Sequence, residues 1–170
     1  VYQFLGADPA MFAGTILACD MGGGALAAEM TDNSDAAMLG GVLTGSMLGA
    51  TLVFTLPVAM GILREGDRPA MAKGILCGIV TIPVGVLAGG LAAGFPVVMV
   101  LRNLIPIVLI GALIAFGLWK AENAMIRGFA AFGKGVVAVI TAGLAAAIVQ
   151  ELTGFTLIPG LAPISEGFET

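Results

Sequence analysis

Apolar residues in this chain come in long runs divided by short polar linkers. No charged residue falls within 36–63, 74–101, 103–119 or 135–150. A helix that crosses a bilayer needs about 17–25 mostly apolar residues. The pattern predicts helical segments over about 9–30, 36–63, 71–94, 96–119 and 135–158. The linkers read "TDNSD", "REGDRP" and a longer "KAENAMIRGFAAFGK". The last is amphipathic, with Ile126, Phe129 and Phe132 toward one side. It predicts a short helix lying at the membrane interface, with a solvated loop as the alternative.

Composition fits this picture. The chain has 170 residues, of which 59% are hydrophobic and 11% charged. Soluble domains carry about 25% charged residues. With a mean hydropathy of +1.08, the pattern points to lipid as the solvent. The fold class read from the sequence is all-α: a polytopic membrane protein whose first segment is interrupted by glycines and whose spans are rich in Gly and Pro.

Charge orients the segments. Arg64, Arg68 and Lys73 surround the second linker, and Lys120, Arg127 and Lys134 flank the long one. The positive-inside rule places both on the cytoplasmic face. The linker with Asp32 and Asp35, and the tail with Glu166 and Glu169, then lie outside. Arg102, near the outer end of the fourth segment, is the exception. If the first segment is a re-entrant hairpin, the N-terminus moves outside.

Glycines write the packing. Gly41, Gly45 and Gly49 form a stripe at a spacing of four, and Gly74 with Gly78 and Gly85 with Gly89 repeat it. Lipid gives helices no hydrophobic reason to associate, so close backbone approach must hold them together. Pro57, Pro83 and Pro106 lie within spans and are read as kinks.

The candidate chemistry lies in "GTILACDMGGGALAAEM". Asp20 is an acid within an apolar segment, and Gly22, Gly23 and Gly24 follow it. A buried acid costs about 2.5–3.5 kcal/mol at a helix centre on insertion scales, so it normally faces a cavity or a partner. Glycines that end a half-helix there expose its last carbonyls, which carry the negative end of the helix dipole. Broken helices of secondary transporters hold cations this way. Asp20 and the glycines, with Cys19, Thr15 and Asn103, form the candidate cation site. The bland alternative makes Asp20 a residue that ends a segment at the membrane surface. Glu29 and Glu151 are read as solvated or interfacial. Thr81 and Thr141 could add hydroxyls, but threonines in membrane helices often bond back to their own helix.

Other classes are poorly supplied. An intramembrane aspartyl protease needs two apposed carboxylates, and only one acid is clearly intramembrane. Two cysteines and no histidine make no metal site. No catalytic residue, cofactor or nucleic-acid partner is expected. A non-transporting structural or assembly subunit would explain the glycine stripes but not the broken acidic segment.

The stretch "LGADPAMFAGTILACDMGGGALAAEM" resembles the ethanolamine-utilisation transporter family, EutH. The resemblance continues through "LGGVLTGSMLGATLVFTLPVAMGIL", "GIVTIPVGVLAGG", "RNLIPI" and "TAGLAAAIVQELTGFTLIPGL". The family's "ACDMGG" matches residues 18–23. The resemblance implies a multi-pass permease of the bacterial cytoplasmic (inner) membrane. Its implied cargo is ethanolamine or a similar small amine for catabolism. Family members are roughly twice as long, which implies that N- and C-terminal parts of the same chain are missing here. Whether the protein forms a homo-oligomer stays open.

Overall fold

The computed structural model describes residues 2–155. The expected outer tail with Glu166 and Glu169, and the predicted end of the last segment at 158, lie outside them. No strand occurs among the described residues. Residues up to Gly133 form one compact unit. After a short turn at Gln3–Leu5, it contains helix α1 (Ala10–Ile16), a single wide turn at Cys19–Gly23, and helix α2 (Gly24–Met30). Three longer helices follow: α3 (Ser34–Ile62), α4 (Arg68–Ala92) and α5 (Val97–Thr153). These three are long and apolar enough to cross a membrane.

The first segment does not cross the bundle. α1 and α2 have 7 residues each, about 10 Å apiece at a rise of about 1.5 Å per residue. A hydrocarbon core is about 30 Å thick. The Thr31 hydroxyl, just past α2, donates to Asp8 Oδ2 at 2.8 Å, just before α1. Entry and exit are thereby tied together at the end where α3 begins. The segment is a short helical hairpin, and its tip is the turn around Asp20.

α3 starts under an Asn33 cap, whose Oδ1 accepts from Asp35 N and Ala36 N. It is wound in the wide π form over Met38–Gly49 and Thr51–Thr55, then returns to α winding at Leu56–Ile62. Pro57 sits in the first turn of that last stretch. Its missing N–H costs least there, where the hydrogen-bond ladder changes register. Pro83 and Pro106 lie within α4 and α5.

The predicted fourth segment, long linker and fifth segment form one helical run, α5, with a single break. At Ala121 the backbone leaves helical values (φ −148°, ψ 50°). Beyond the break, Met125 packs back on Gly117. Lys73 Nζ meets Glu122 Oε1 at 2.6 Å, so α4 is joined to the same corner. Ile126 is buried, and Phe129 packs against the core and stacks on Phe132 with ring centroids 6.2 Å apart.

The core is built from Met11 of α1, Leu39 and Leu48 of α3, Ile79 and Val86 of α4, and Val100, Leu104 and Ile107 of α5. Much of the remaining apolar surface is bare. Val84, Leu113 and Val98 are each about 70% exposed, as suits a lipid-facing or partner-facing surface. A second compact unit begins at Lys134, and its described part is the closing stretch of α5. There Thr141 Oγ1 donates to Val137 O at 2.8 Å, bonding back to its own helix.

Candidate functional site

The hairpin sits on the α3 glycine stripe at backbone contact. A Cβ on Gly49 would stand 1.8 Å from Leu17 O, and one on Gly14 would stand 1.9 Å from Gly40 O. On Gly45 it would meet Cys19 N at 3.0 Å, and on Gly41 it would meet Gly23 O at 2.9 Å. Glycines thus let both half-helices and the tip approach α3 at backbone contact, while Met11 of α1 packs with Leu39 and Leu48 of α3. This gives the first stripe its partner. Gly85 and Gly89 approach Met47 and Leu43 of α3, whereas Gly74 and Gly78 have nothing within 4 Å among the described residues.

At the tip the chain leaves α1 at Leu17 in an extended conformation (φ −120°, ψ 143°). Gly22 then takes φ +89°, a value that L side chains rarely adopt. The turn satisfies part of its own backbone. Ala13 O accepts from Leu17 N at 2.9 Å, and Ala18 O accepts from Met21 N at 3.1 Å and Gly23 N at 3.0 Å. Cys19 O accepts from Gly24 N. Of the last carbonyls of α1, Ala13 O is thereby paired, while the wide turn pairs its own Ala18 and Cys19 carbonyls. Asp20 stands between the negative end of α1 and the positive end of α2, whose dipoles oppose. Its carboxylate is the net charge of the tip.

The carboxylate is exposed, and its side chain has no hydrogen bond or ion pair among the described residues. The tip also carries exposed Met21 and Gly22, half-buried Cys19 and Gly24, and buried Gly23.

Two other predicted members lie elsewhere. Thr15 is buried inside α1, donating to Met11 O at 2.7 Å and accepting from Tyr2 at 2.8 Å. Asn103 is buried at the opposite end of α1 from Asp20, where its Oδ1 accepts from Asp8 N at 2.6 Å. Asp8 was not singled out in the sequence. Its Oδ1 accepts from Ala10 N at 2.9 Å, so it starts α1. The readable signal was "DP" ahead of an apolar run, an acid followed by Pro at a helix start.

The whole chain, residues 1–170, matches the family described as "Ethanolamine utilisation protein, EutH". The chain belongs to the EutH family. It is 56% identical over 169 residues to the "Probable ethanolamine permease EutH" of Listeria monocytogenes, covering 99% of this chain and 45% of that protein. It is 51% identical over 177 residues to the proteins of the same name from Escherichia coli and Salmonella typhimurium, covering 96% of this chain and 43% of each. The chain thus spans less than half the length of these EutH relatives. No solved structure matches it. A polytopic helical membrane protein of the EutH family fits both the sequence and the three long apolar helices.

Proposed function

We propose that the protein is a permease for ethanolamine or a similar small amine in the bacterial cytoplasmic membrane, and that this chain supplies one wall of its cation path. The observation that carries this reading is the short helical hairpin with an unpartnered carboxylate at its tip, which we read as re-entrant. Membrane segments that turn back part-way line cavities rather than face lipid, and an intramembrane acid marks an ion or substrate route. At neutral pH ethanolamine is mostly a small cation with one hydroxyl. Asp20 would hold the ammonium, and Gly22 and Gly23 would set the shape of the turn that presents it. Parts of the longer protein would close the open side. The names of the relatives support the amine.

The test is uptake and binding of radiolabelled ethanolamine by the full-length protein in proteoliposomes. Asp20→Asn keeps shape and removes charge. Loss of one partner of a desolvated pair costs about 3–5 kcal/mol, a hundredfold or more in affinity at about 1.4 kcal/mol per tenfold. Glu29→Gln, on exposed Glu29, is the control and should change little. Parental affinity in Asp20→Asn would place the site elsewhere.

A further inference from the structure

Where the hairpin enters and leaves, at the opposite end from Asp20, there is a cavity of 610 Å³. Small-molecule sites span roughly 300–1,000 Å³. Its walls come from the residues before α1, the α2–α3 linker and the first turns of α5, and they include Asp8, Asn33, Arg102 and Asn103. These belong to one compact unit.

Two opposite charges share this cavity without meeting. The only ion pairs among the described residues are Arg68–Glu65 and Lys73–Glu122. Arg102 therefore has no carboxylate within 4.0 Å, although Asp8 lines the same space.

The hydrogen-bond capacity left over is specific. Asp8 Oδ1 and Oδ2 each accept one bond, from Ala10 N and Thr31 Oγ1. An ionised carboxylate offers about four acceptor positions, so two remain. Asn33 spends its oxygen on the α3 cap, which leaves its amide N–H donors. Asn103, 3% exposed, accepts at its oxygen from Asp8 N and donates one N–H to Met99 Sδ. One further N–H is left. Arg102 brings five donors in a planar fork suited to phosphate or carboxylate.

We infer that this cavity binds a small zwitterion, with an ammonium at Asp8 and a phosphate or carboxylate at Arg102 and the Asn33 and Asn103 amides. A bare cation would leave Arg102 unmatched and repelling. A bare anion would leave Asp8 in the same position. The aminoethyl phosphate group fits this chemistry, and it exists both as a free solute and as a lipid headgroup. The inference stands apart from the cargo reading, since it uses neither Asp20 nor the tip.

The experiment is calorimetric titration of the full-length protein in maltoside with O-phosphoethanolamine, ethanolamine and inorganic phosphate. A parallel arm uses dihexanoyl phosphatidylethanolamine below its micellar concentration. The zwitterion should bind at least about tenfold tighter than either half alone, because each charge-assisted contact needs its own partner. Preference for the short-chain lipid over the free solute would identify a headgroup site, and the reverse a solute site; both support the inference. Arg102→Gln alters an exposed side chain with no hydrogen bond in the described residues, so folding should survive. It should cut zwitterion affinity about tenfold or more. Asp8→Asn should do the same while strengthening phosphate binding. Equal affinity for phosphate and zwitterion, unchanged affinity in Arg102→Gln, or no binding of either ligand form would overturn the inference.

Discussion

Gly49 and Gly74 look alike in the sequence, each in a stripe of glycines spaced by four, yet their surroundings are opposite. A methyl on Gly49 would enter the Leu17 carbonyl. Because the neighbour is backbone, it cannot rotate away. Gly49→Ala should therefore cost about 1–3 kcal/mol or more, seen as a lowered melting temperature in detergent. Gly74→Ala meets nothing within 4 Å. It should leave the melting temperature of this chain unchanged or raised, since Ala is favoured over Gly in a helix by about 0.8–1 kcal/mol. The period of the glycines was legible, but which stripe has a partner was not, because periodicity describes one helix and contact requires two. Asp20 shows the same limit. Its place beside a break could be read from "CDMGGG", whereas its separation from Asn103 depends on Asp8, far away in sequence.

Among elements, the hairpin was the hardest to read. Residues 9–30 are long and apolar enough to pass for a broken span. The Thr31–Asp8 hydrogen bond, with Ala10 and Met30 in one cluster, shows that both ends lie together. The three long helices were more legible, since charge-free runs of that length have few other uses. The joining of the fourth and fifth segments through the long linker was not, because Gly128 and Gly133 resemble breakers yet are accommodated in helix. The charge distribution predicts that α3 runs inward from the acidic linker, which cysteine labelling tests. In a background lacking Cys19 and Cys77, Asp32→Cys should react quickly with an impermeant thiol reagent on intact cells. Glu65→Cys and Asn123→Cys should react only after permeabilisation, as the basic linkers require. Rapid labelling at Glu65→Cys would invert the orientation. The Lys73–Glu122 pair at the α4–α5 corner is half exposed, with side-chain exposures of 54% and 46%. Exposed pairs contribute little, because water screens the charges. Glu122→Gln should therefore shift the melting temperature only slightly, and less at high salt.

For the whole molecule, the chain covers 45% of its Listeria relative, and its apolar faces and hairpin tip are bare. A site formed between repeats needs both walls. Expressed alone, these residues should insert into membranes but give no amine uptake above that of an empty-vector strain, as measured with radiolabelled ethanolamine. Uptake by this chain alone would show that its own tip suffices as a site.

The depth of that tip also has an electrical meaning. With its mouth at the outer edge of the hydrocarbon core, as the charge distribution predicts, a hairpin arm of about 10 Å would reach roughly a third of the way through a core of about 30 Å. A cation that travels from outside to Asp20 would cross about a third of the membrane voltage. Moving a full charge through 100 mV is worth about 2.3 kcal/mol, so this partial passage is worth about 0.8 kcal/mol, near fourfold in affinity. An inside-negative potential should then draw the amine to the tip before any conformational step. Binding from the outer side should tighten about fourfold for each 100 mV of hyperpolarisation in vesicles clamped by potassium and valinomycin. Binding indifferent to voltage would place the amine at the membrane surface instead.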